Sequence, residues 1–362
     1  MIHVLHVVPT LGVGGMELAM ARVVRGLPAP RFAHSVACLS GVALIAKDFG
    51  PAAAIYSLNG DSDPLRQLWR LRCLIQDLKP SVIHARNISA WLDLAIARVT
   101  LRDPFPVVLS FHGTDHAGPL PAWYRVIAAL AARSATHLFT VSEQSRELLV
   151  RSLGLAKTRI GIIPNGIDTT TFIPNTGRFP QQKRVVVGTV GNLSPVKNQT
   201  LLVRACAQLL GCGYDVELRI AGEGRERARI MEAASLLGVS RSVHLLGHVD
   251  DVPSFLRTLD LFVLSSDSEA HPNALIEAMA CALPCIGSRV GGIPDVLADD
   301  SVGRLFDAGD LSGLVAAMTE LITAPETRGP LGRRARKRVE ERYTVEEMIR
   351  RYADLYSEIA GR

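Results

Sequence analysis

The chain has 362 residues, of which 48% are hydrophobic and 21% charged, and a formal net charge of +5. That length holds two full cores, and the composition excludes a disordered or low-complexity chain. No apolar run approaches the ~20 residues of a membrane span; the richest, Val126–Ala132, stops at Arg133.

Strand-like apolar runs fall at His3–Val8, Ser35–Leu39, Ala54–Leu58, Val82–His84, Val107–Phe111, His137–Val141 and Ile160–Ile163. Helical spacing fills the intervals near 15–27, 64–78, 88–99, 121–133 and 143–152. Such alternation predicts a parallel sheet with helices on both faces. Pro164-Asn-Gly-Ile-Asp168 and the Thr/Pro/Asn-rich stretch to Gln182 interrupt it. This predicts a linker over 166–182, between domains 1–165 and 183–343. The alternation restarts at Arg184–Val190, with strands near 216–220, 242–246, 260–264, 284–287 and 302–306. From Leu311 the chain is helical and charged, and its basic hexad Arg333-Arg-Ala-Arg-Lys-Arg338 reads as a solvated helix face. A last helix near 344–360 repeats Met348, Tyr352, Leu355, Tyr356 and Ile359 along one face, for packing. The predicted class is α/β, with two Rossmann-like doubly wound domains.

Charge is unevenly placed, +7 over residues 1–165 and −2 over the rest. A basic first half suits an anionic acceptor or peripheral contact with an anionic membrane. No aromatic-studded basic strand or recognition helix accompanies it, so nucleic acid is not an expected partner. The first residues, Met1 to Val8, read as a strand without a basic leader, and a cytoplasmic chain is expected. Cys38, Cys73, Cys206, Cys212, Cys281 and Cys285 lack paired metal spacing and read as small buried hydrophobes.

In parallel α/β sheets ligands bind beyond the carboxyl ends of the strands, so motifs there carry the functional reading. The richest is Ser265-Ser-Asp-Ser-Glu-Ala-His-Pro-Asn-Ala-Leu-Ile-Glu-Ala-Met-Ala280. It runs strand, polar turn, helix, with Pro272 at the helix entrance, where a missing N–H costs nothing. The backbone N–H groups of Asn273, Ala274 and Leu275 are expected to face the loop as an anion site. Glu269 precedes that site and Glu277 lies one turn into the helix, so two carboxylates flank a place for phosphate. A sugar nucleotide has the matching layout of sugar, diphosphate and ribose.

This string resembles the donor-site signature of the retaining GT-B glycosyltransferases of family 4, usually Glu-Gly-Phe-Pro/Gly-x-x-x-x-Glu-Ala-Met-Ala. Pro272, Asn273 and Glu277 to Ala280 match it, whereas Ala270 and His271 replace the usual Gly-Phe pair. The resemblance implies two domains facing across a cleft and a C-terminal helix that crosses back to the first domain, making 344–362 part of it. It also implies a nucleotide-diphosphate sugar, UDP- or GDP-linked, as co-substrate, with no metal or other cofactor, and a saccharide or lipid-linked acceptor. Glu269 would bind the donor sugar and Glu277 the ribose. The leaving phosphate would take the acceptor's proton on the same face, which retains the anomeric configuration.

Further segments fit the same family. Gly12-Val-Gly-Gly-Met-Glu17 follows the first strand, and Gly14 and Gly15 resemble the loop that closes over the donor phosphates. A dinucleotide fold would want glycine or alanine at Glu17 and an acid some twenty residues later, which is missing. Ser110-Phe-His-Gly-Thr-Asp115 ends the fifth strand, and the resemblance places His112 against the transferred sugar; the plain alternative is a structural histidine. His84, Arg86 and Asn87 end the fourth strand and line either an acceptor pocket or the core. Gly191-Asn-Leu-Ser-Pro-Val-Lys197 opens the second domain's first loop. Lys197, one of six lysines among 34 arginines, supplies a cation for the diphosphate. Family members pair that lysine with an arginine, and Asn192 stands in the arginine's place. Glu223 follows the next strand, and backbone around His248 and Val249 fits a base edge, although tight-turn chemistry explains both loops equally. Gly291-Gly-Ile-Pro-Asp295 resembles another recurrent family loop. Two other readings stay open, a sugar-nucleotide epimerase on the same fold and a non-catalytic sugar-nucleotide-binding member.

Overall fold

The structure, a computed structural model, describes residues 1–12, 14–40, 46–58, 63–99, 101, 105–113, 121–174 and 184–361. The chain divides into two compact units, Met1–Gly166 with Val345–Arg362, and Ile167–Thr344.

The first unit is built on a seven-stranded sheet of β1 (Ile2–Val8), β2 (Phe32–Cys38), β3 (Ala53–Ser57), β4 (Val82–Arg86), β5 (Val107–Phe111), β6 (His137–Thr140) and β7 (Ile160–Ile162). Its order is β3-β2-β1-β4-β5-β6-β7, and every pairing is parallel. Strands buried on both faces read as continuous apolar runs rather than alternations. Strand β5, Val-Val-Leu-Ser-Phe, is fully buried and shows it, with Ser110 the one polar residue. The C-terminal helix Val345–Ala360 packs on this unit. Met348, Tyr352, Leu355, Tyr356 and Ile359 recur at helical spacing and are all buried, against Val4, Val82, Val108 and Phe139.

The second unit holds β8 (Val185–Val190), β9 (Val216–Ala221), β10 (Val243–Gly247), β11 (Leu261–Leu264), β12 (Cys285–Ser288) and β13 (Arg304–Phe306), in the order β10-β9-β8-β11-β12-β13. All these pairs are parallel too. The helix Asn273–Ala280 lies in the core, with Leu275, Ile276, Ala278, Met279 and Ala280 buried. Parallel pairing puts the carboxyl ends of these strands along one edge. The strand order reverses between β8 and β11, a topological switch point where an open α/β sheet accepts ligands.

Two expectations need correction. The interdomain stretch does not begin as a tether. Ile167 is fully buried, its N–H donates to Tyr343 O at 2.8 Å, and Phe172 is buried in the second unit's core. Residues 175–182 of the expected linker lie outside the described residues. The basic hexad, in the helix Pro325–Arg342, is only in part a solvated face. Arg336 donates to the carbonyls of Phe172, Thr169 and Ala280, and Arg338 to those of Asp295 and Val296. Guanidinium forks satisfy several carbonyls at once, which hydropathy does not register. Of the cysteines, Cys38, Cys206, Cys281 and Cys285 are buried and Cys212 is exposed. No helix among the described residues is long and apolar enough to cross a membrane.

Ile359, 2% exposed, is the last apolar anchor of the C-terminal helix. Ile359→Ala is expected to cost about 2–4 kcal/mol, borne by the first unit alone. Hydrogen exchange resolved by unit checks this, with protection lost in residues 1–166 and kept in 185–343.

Candidate functional site

The second unit's switch point is built by the loops after β8 and β11. The β8 loop tightens into a 3-10 turn, Pro195–Lys197, and Asn198 leaves it in the left-handed region at φ 47°. Four bonds join the two loops. Asp267 N–H donates to Val196 O at 2.7 Å, and Asn198 Nδ2 to Asp267 Oδ1 at 3.1 Å. Ser265 Oγ reaches Lys197 O at 3.1 Å and Asn198 O at 3.0 Å. Across this seam Lys197 Nζ donates to Glu269 Oε1 as an ion pair. Ser266 Oγ donates to the same oxygen at 2.8 Å. The Glu269 side chain is 9% exposed and that of Lys197 27%. An ammonium has three donors and a carboxylate about four acceptor sites. Beyond the bonds just given, two protons of Lys197 and the second oxygen of Glu269 have no partner among the described residues.

The main chain of Glu269 is held from the next loop. Gly292 N–H donates to Glu269 O at 3.0 Å. Gly291 has φ +56°, and a Cβ there would lie 1.5 Å from that carbonyl oxygen. Only glycine permits both the conformation and the approach. Ser288 Oγ donates to Ser266 O, extending the brace to β12. Glu277 is half-buried, on the second turn of the helix Asn273–Ala280.

The helix entrance departs from expectation. Asn273 N–H donates to His271 O and Leu275 N–H to Pro272 O, each at 3.0 Å. Of the three expected anion-binding N–H groups, only that of Ala274 has no backbone partner among the described residues. A tight turn at Pro272 consumes the others, which spacing alone does not reveal. The His271 ring meets Tyr343 at 5.8 Å and its Nδ1 donates to Asn273 Oδ1 at 3.2 Å. Burial lowers its pKa to about 4. Ala270 beside it is half-buried.

The loops after β8, β9 and β10 are tied along the same edge. Gly191 N–H donates to Ala221 O, Leu193 N–H to Glu223 O and Gly222 N–H to Gly247 O, at 3.0, 2.9 and 2.7 Å. Asn192, Glu223 and His248 are exposed here, and Val249 is partly buried against the core. The Glu223 carboxylate pairs with Arg227 at 3.5 Å and His248 stands 3.3 Å from Asp250. None of these side chains joins the Lys197–Glu269 pair.

In the first unit His112 follows β5. Its Nε2 is 2.9 Å from Ser110 Oγ, and its N–H donates to Asn87 Oδ1 at 2.8 Å. Asn87, at φ +66°, turns the chain from β4 into the helix Asn87–Val99. His84 and Arg86, expected as candidates for an acceptor pocket, are core residues at 0% and 1% exposure. They sit on a central strand covered on both faces, so neither meets an acceptor directly. Asn87, 5% exposed, spends Oδ1 on positioning His112. Gly14 caps the helix Gly15–Gly26, and a Cβ on it would lie 2.4 Å from Glu17 Oε2. Glu17 therefore folds back over the helix entrance, the reach of a capping box. Val13, Thr114 and Asp115 lie outside the described residues. Sequence reasoning passed over Ser266, Ser288 and Ser110; short hydroxyls in a polar turn or buried strand give no periodic signal.

Two parallel-sheet Rossmann-like units with these loop-borne groups define a transferase fold of the GT-B class. Residues 13–171 match the family described as Glycosyltransferase Family 4, and residues 173–338 match Glycosyl transferases group 1. The chain is 34% identical over 275 residues to N-acetyl-alpha-D-glucosaminyl L-malate synthase of Bacillus anthracis, covering 73% of this chain and 71% of that one. It is 24% identical over 307 residues to UDP-Gal:alpha-D-GlcNAc-diphosphoundecaprenol alpha-1,3-galactosyltransferase of Escherichia coli, covering 81% and 79%. Among solved structures, Anabaena HepE in complex with UDP-glucose superposes with a TM-score of 0.86 at 20% identity, over 99% of this chain and 100% of that one. The chain belongs to glycosyltransferase family 4, within the group 1 glycosyl transferases.

Gly291→Ala is expected to destabilise the second unit by about 1–3 kcal/mol, because the new methyl must displace Glu269's carbonyl. Urea unfolding measures the loss; a midpoint equal to wild type would refute the close approach.

Proposed function

We propose that the chain transfers a sugar from a nucleotide-diphosphate sugar, UDP-linked, to a saccharide or lipid-linked acceptor in polysaccharide or glycolipid synthesis, retaining the anomeric configuration. The observation that carries this reading is the Lys197–Glu269 pair across the second unit's switch point. With one ammonium proton on Glu269, the other two suit oxygens of a diphosphate. The second Glu269 oxygen suits a hydroxyl of the transferred sugar. Pyrophosphate charge grows as the C1–O bond to phosphate breaks, and a fixed cation stabilises that change. The Ala274 N–H at the helix entrance adds a dipole of the same sign. Glu277 accepts from the ribose, and His112 meets the sugar. A phosphate oxygen takes the acceptor's proton as the acceptor oxygen bonds to C1 on the same face.

A UDP-linked donor is favoured because UDP-glucose is bound in Anabaena HepE and UDP-Gal names the donor of the E. coli relative. The acceptor of that relative is linked to diphosphoundecaprenol, a lipid carrier. A chain with +7 over residues 1–165 suits peripheral contact with the anionic surface where such acceptors reside. Asn192, exposed at the β8 loop, lacks the cation that family members carry there, so Lys197 bears more of the diphosphate's charge.

Lys197→Ala is expected to lower kcat about ten- to a hundredfold, and Glu277→Ala to raise donor KM about tenfold with kcat little changed. Steady-state kinetics with a UDP-sugar check both, and wild-type turnover in the two variants would overturn the assignment. In a thermal-shift series, UDP-sugars are expected to raise Tm and GDP-, ADP- and dTDP-sugars to leave it unmoved. A GDP-sugar that alone raised Tm would change the donor and leave the site intact.

A further inference from the structure

The first unit buries a polar cluster that the transfer chemistry above does not use. His6 on β1, His84 and Arg86 on β4, and Ser110 on β5 are each at most 1% exposed. Parallel register sets His6 beside His84 and Arg86 beside Ser110. Tyr352 and Tyr356 of the C-terminal helix close the cluster, at 3% and 0% exposure.

Arg86 sets the proton directions, because a guanidinium has donors and no acceptor. Its Nη1 lies 2.7 Å from His6 Nδ1, so that nitrogen accepts. A neutral His6 then carries its proton on Nε2 and donates it to His34 Nδ1 at 3.0 Å. His34 in turn donates from Nε2 to Leu27 O, again at 3.0 Å. Each imidazole N–H on this branch meets an acceptor. Burial, with Arg86 adding to it, lowers the pKa of both imidazoles, as two neutral rings require.

The second branch leads toward the site. Burial raises the pKa of the Tyr352 and Tyr356 hydroxyls, and the nearby Arg86 guanidinium opposes that rise. Its Nε and Nη2 make no strictly aligned hydrogen bond. A phenol beside a cation turns its oxygen toward the charge and its proton away. The acceptor for the Tyr356 proton is His84 Nδ1, at 2.7 Å. Burial and then Arg86 hold the His84 pKa well below its usual value, so the ring is neutral. The other charged or titratable groups acting on it, His6, His112 and His137, are basic as well. With Nδ1 accepting, His84 donates from Nε2 to Ser110 Oγ at 2.8 Å. The serine's own proton is then directed to His112 Nε2, at 2.9 Å.

We propose that the buried chain Arg86, Tyr356, His84, Ser110 fixes His112 as a neutral imidazole with its proton on Nδ1. These four are positioning residues, and only the contact of His112 with a sugar rests on the function proposed above. The consequence is chemical. With Nε2 committed as an acceptor, His112 is not the base that takes the acceptor's proton, and its Nδ1–H donates to whatever oxygen it meets. Protonating His112 would aim two donors at Ser110 Oγ and leave the serine proton without an acceptor. The cluster therefore works against an imidazolium, and His112 becomes a hydrogen-bond donor to the sugar.

The test is long-range proton–nitrogen NMR on the full chain labelled with 15N-histidine, at neutral pH. The His112 signal is identified by its loss in His112→Gln. Wild type is expected to show a protonated Nδ1 and a bare Nε2. Ser110→Ala removes the bridging hydroxyl and moves His112 toward the Nε2–H form that free histidine prefers. Ser110→Thr restores the hydroxyl and the wild-type signature. Should threonine not fit the buried strand, Tyr356→Phe carries the test from the far end and also erodes the pure Nδ1–H signature. In turnover, Ser110→Ala is expected to lose about tenfold in kcat/KM, the scale of one hydrogen bond. An Nε2–H tautomer in wild type, or a His112 signal unchanged in both Ser110→Ala and Tyr356→Phe, overturns the proposal. If the tautomer behaves as stated and no nucleotide sugar is turned over, the relay stands and the proposed transfer falls.

Discussion

An ammonium and a carboxylate, Lys197 and Glu269, meet where the strand order of the second sheet reverses, and the surrounding loops are shaped by that contact. Two charges brought partly out of water lose hydration, and pairing offsets the loss only if geometry holds them together. The seam of Ser265, Asn198 and Asp267 fixes the lysine's loop against that of β11. Ser266 fixes the carboxylate, and Gly291 and Gly292 fix its main chain. Each is a backbone or short-chain contact, the kind that sets position without occupying the volume a substrate needs. A pair braced this way keeps donors and an acceptor in reserve on one edge of the sheet.

The first unit meets a related problem inside its core. Parallel strands covered on both faces demand apolar side chains, yet β1 and β4 bury His6, His84 and Arg86. An unpaired buried polar group is costly, so such groups persist when they satisfy one another. Here a guanidinium that only donates gives every imidazole in the cluster a direction. The C-terminal helix supplies Tyr356, so a residue far along the chain completes a network begun at residue 6. Direction, more than stability, is what this arrangement provides.

Much of the architecture was legible. Leu261–Leu264 is apolar throughout and Val107–Phe111 is broken only by Ser110, the pattern of strands buried on both faces, and they are β11 and β5. The spacing of Met348, Tyr352, Leu355, Tyr356 and Ile359 marked the packed face of the last helix, and all five are buried. Other features were hidden because they depend on backbone geometry or on partners distant in sequence. The turn at Pro272 consumes N–H groups that the helix start seemed to leave open. Arg336 and Arg338 belong to a basic run, yet they bind carbonyls up to 167 residues away. His84 and Arg86 stand at a strand end, where position alone does not separate a pocket wall from a core.

The order of residues by itself determined the alternation of strands and helices, the placement of glycines and charges after the strands, and the family to which these belong. Those are local properties, set by side-chain periodicity and by residues with particular backbone freedom. Tertiary structure decided which polar groups meet: Lys197 with Glu269 and Ser266, and His112 with Ser110 and, through it, His84. A hydrogen bond depends on distance and angle to within a fraction of an ångström. Strands adjacent in a sheet but distant in sequence supply that precision only once the fold is assembled.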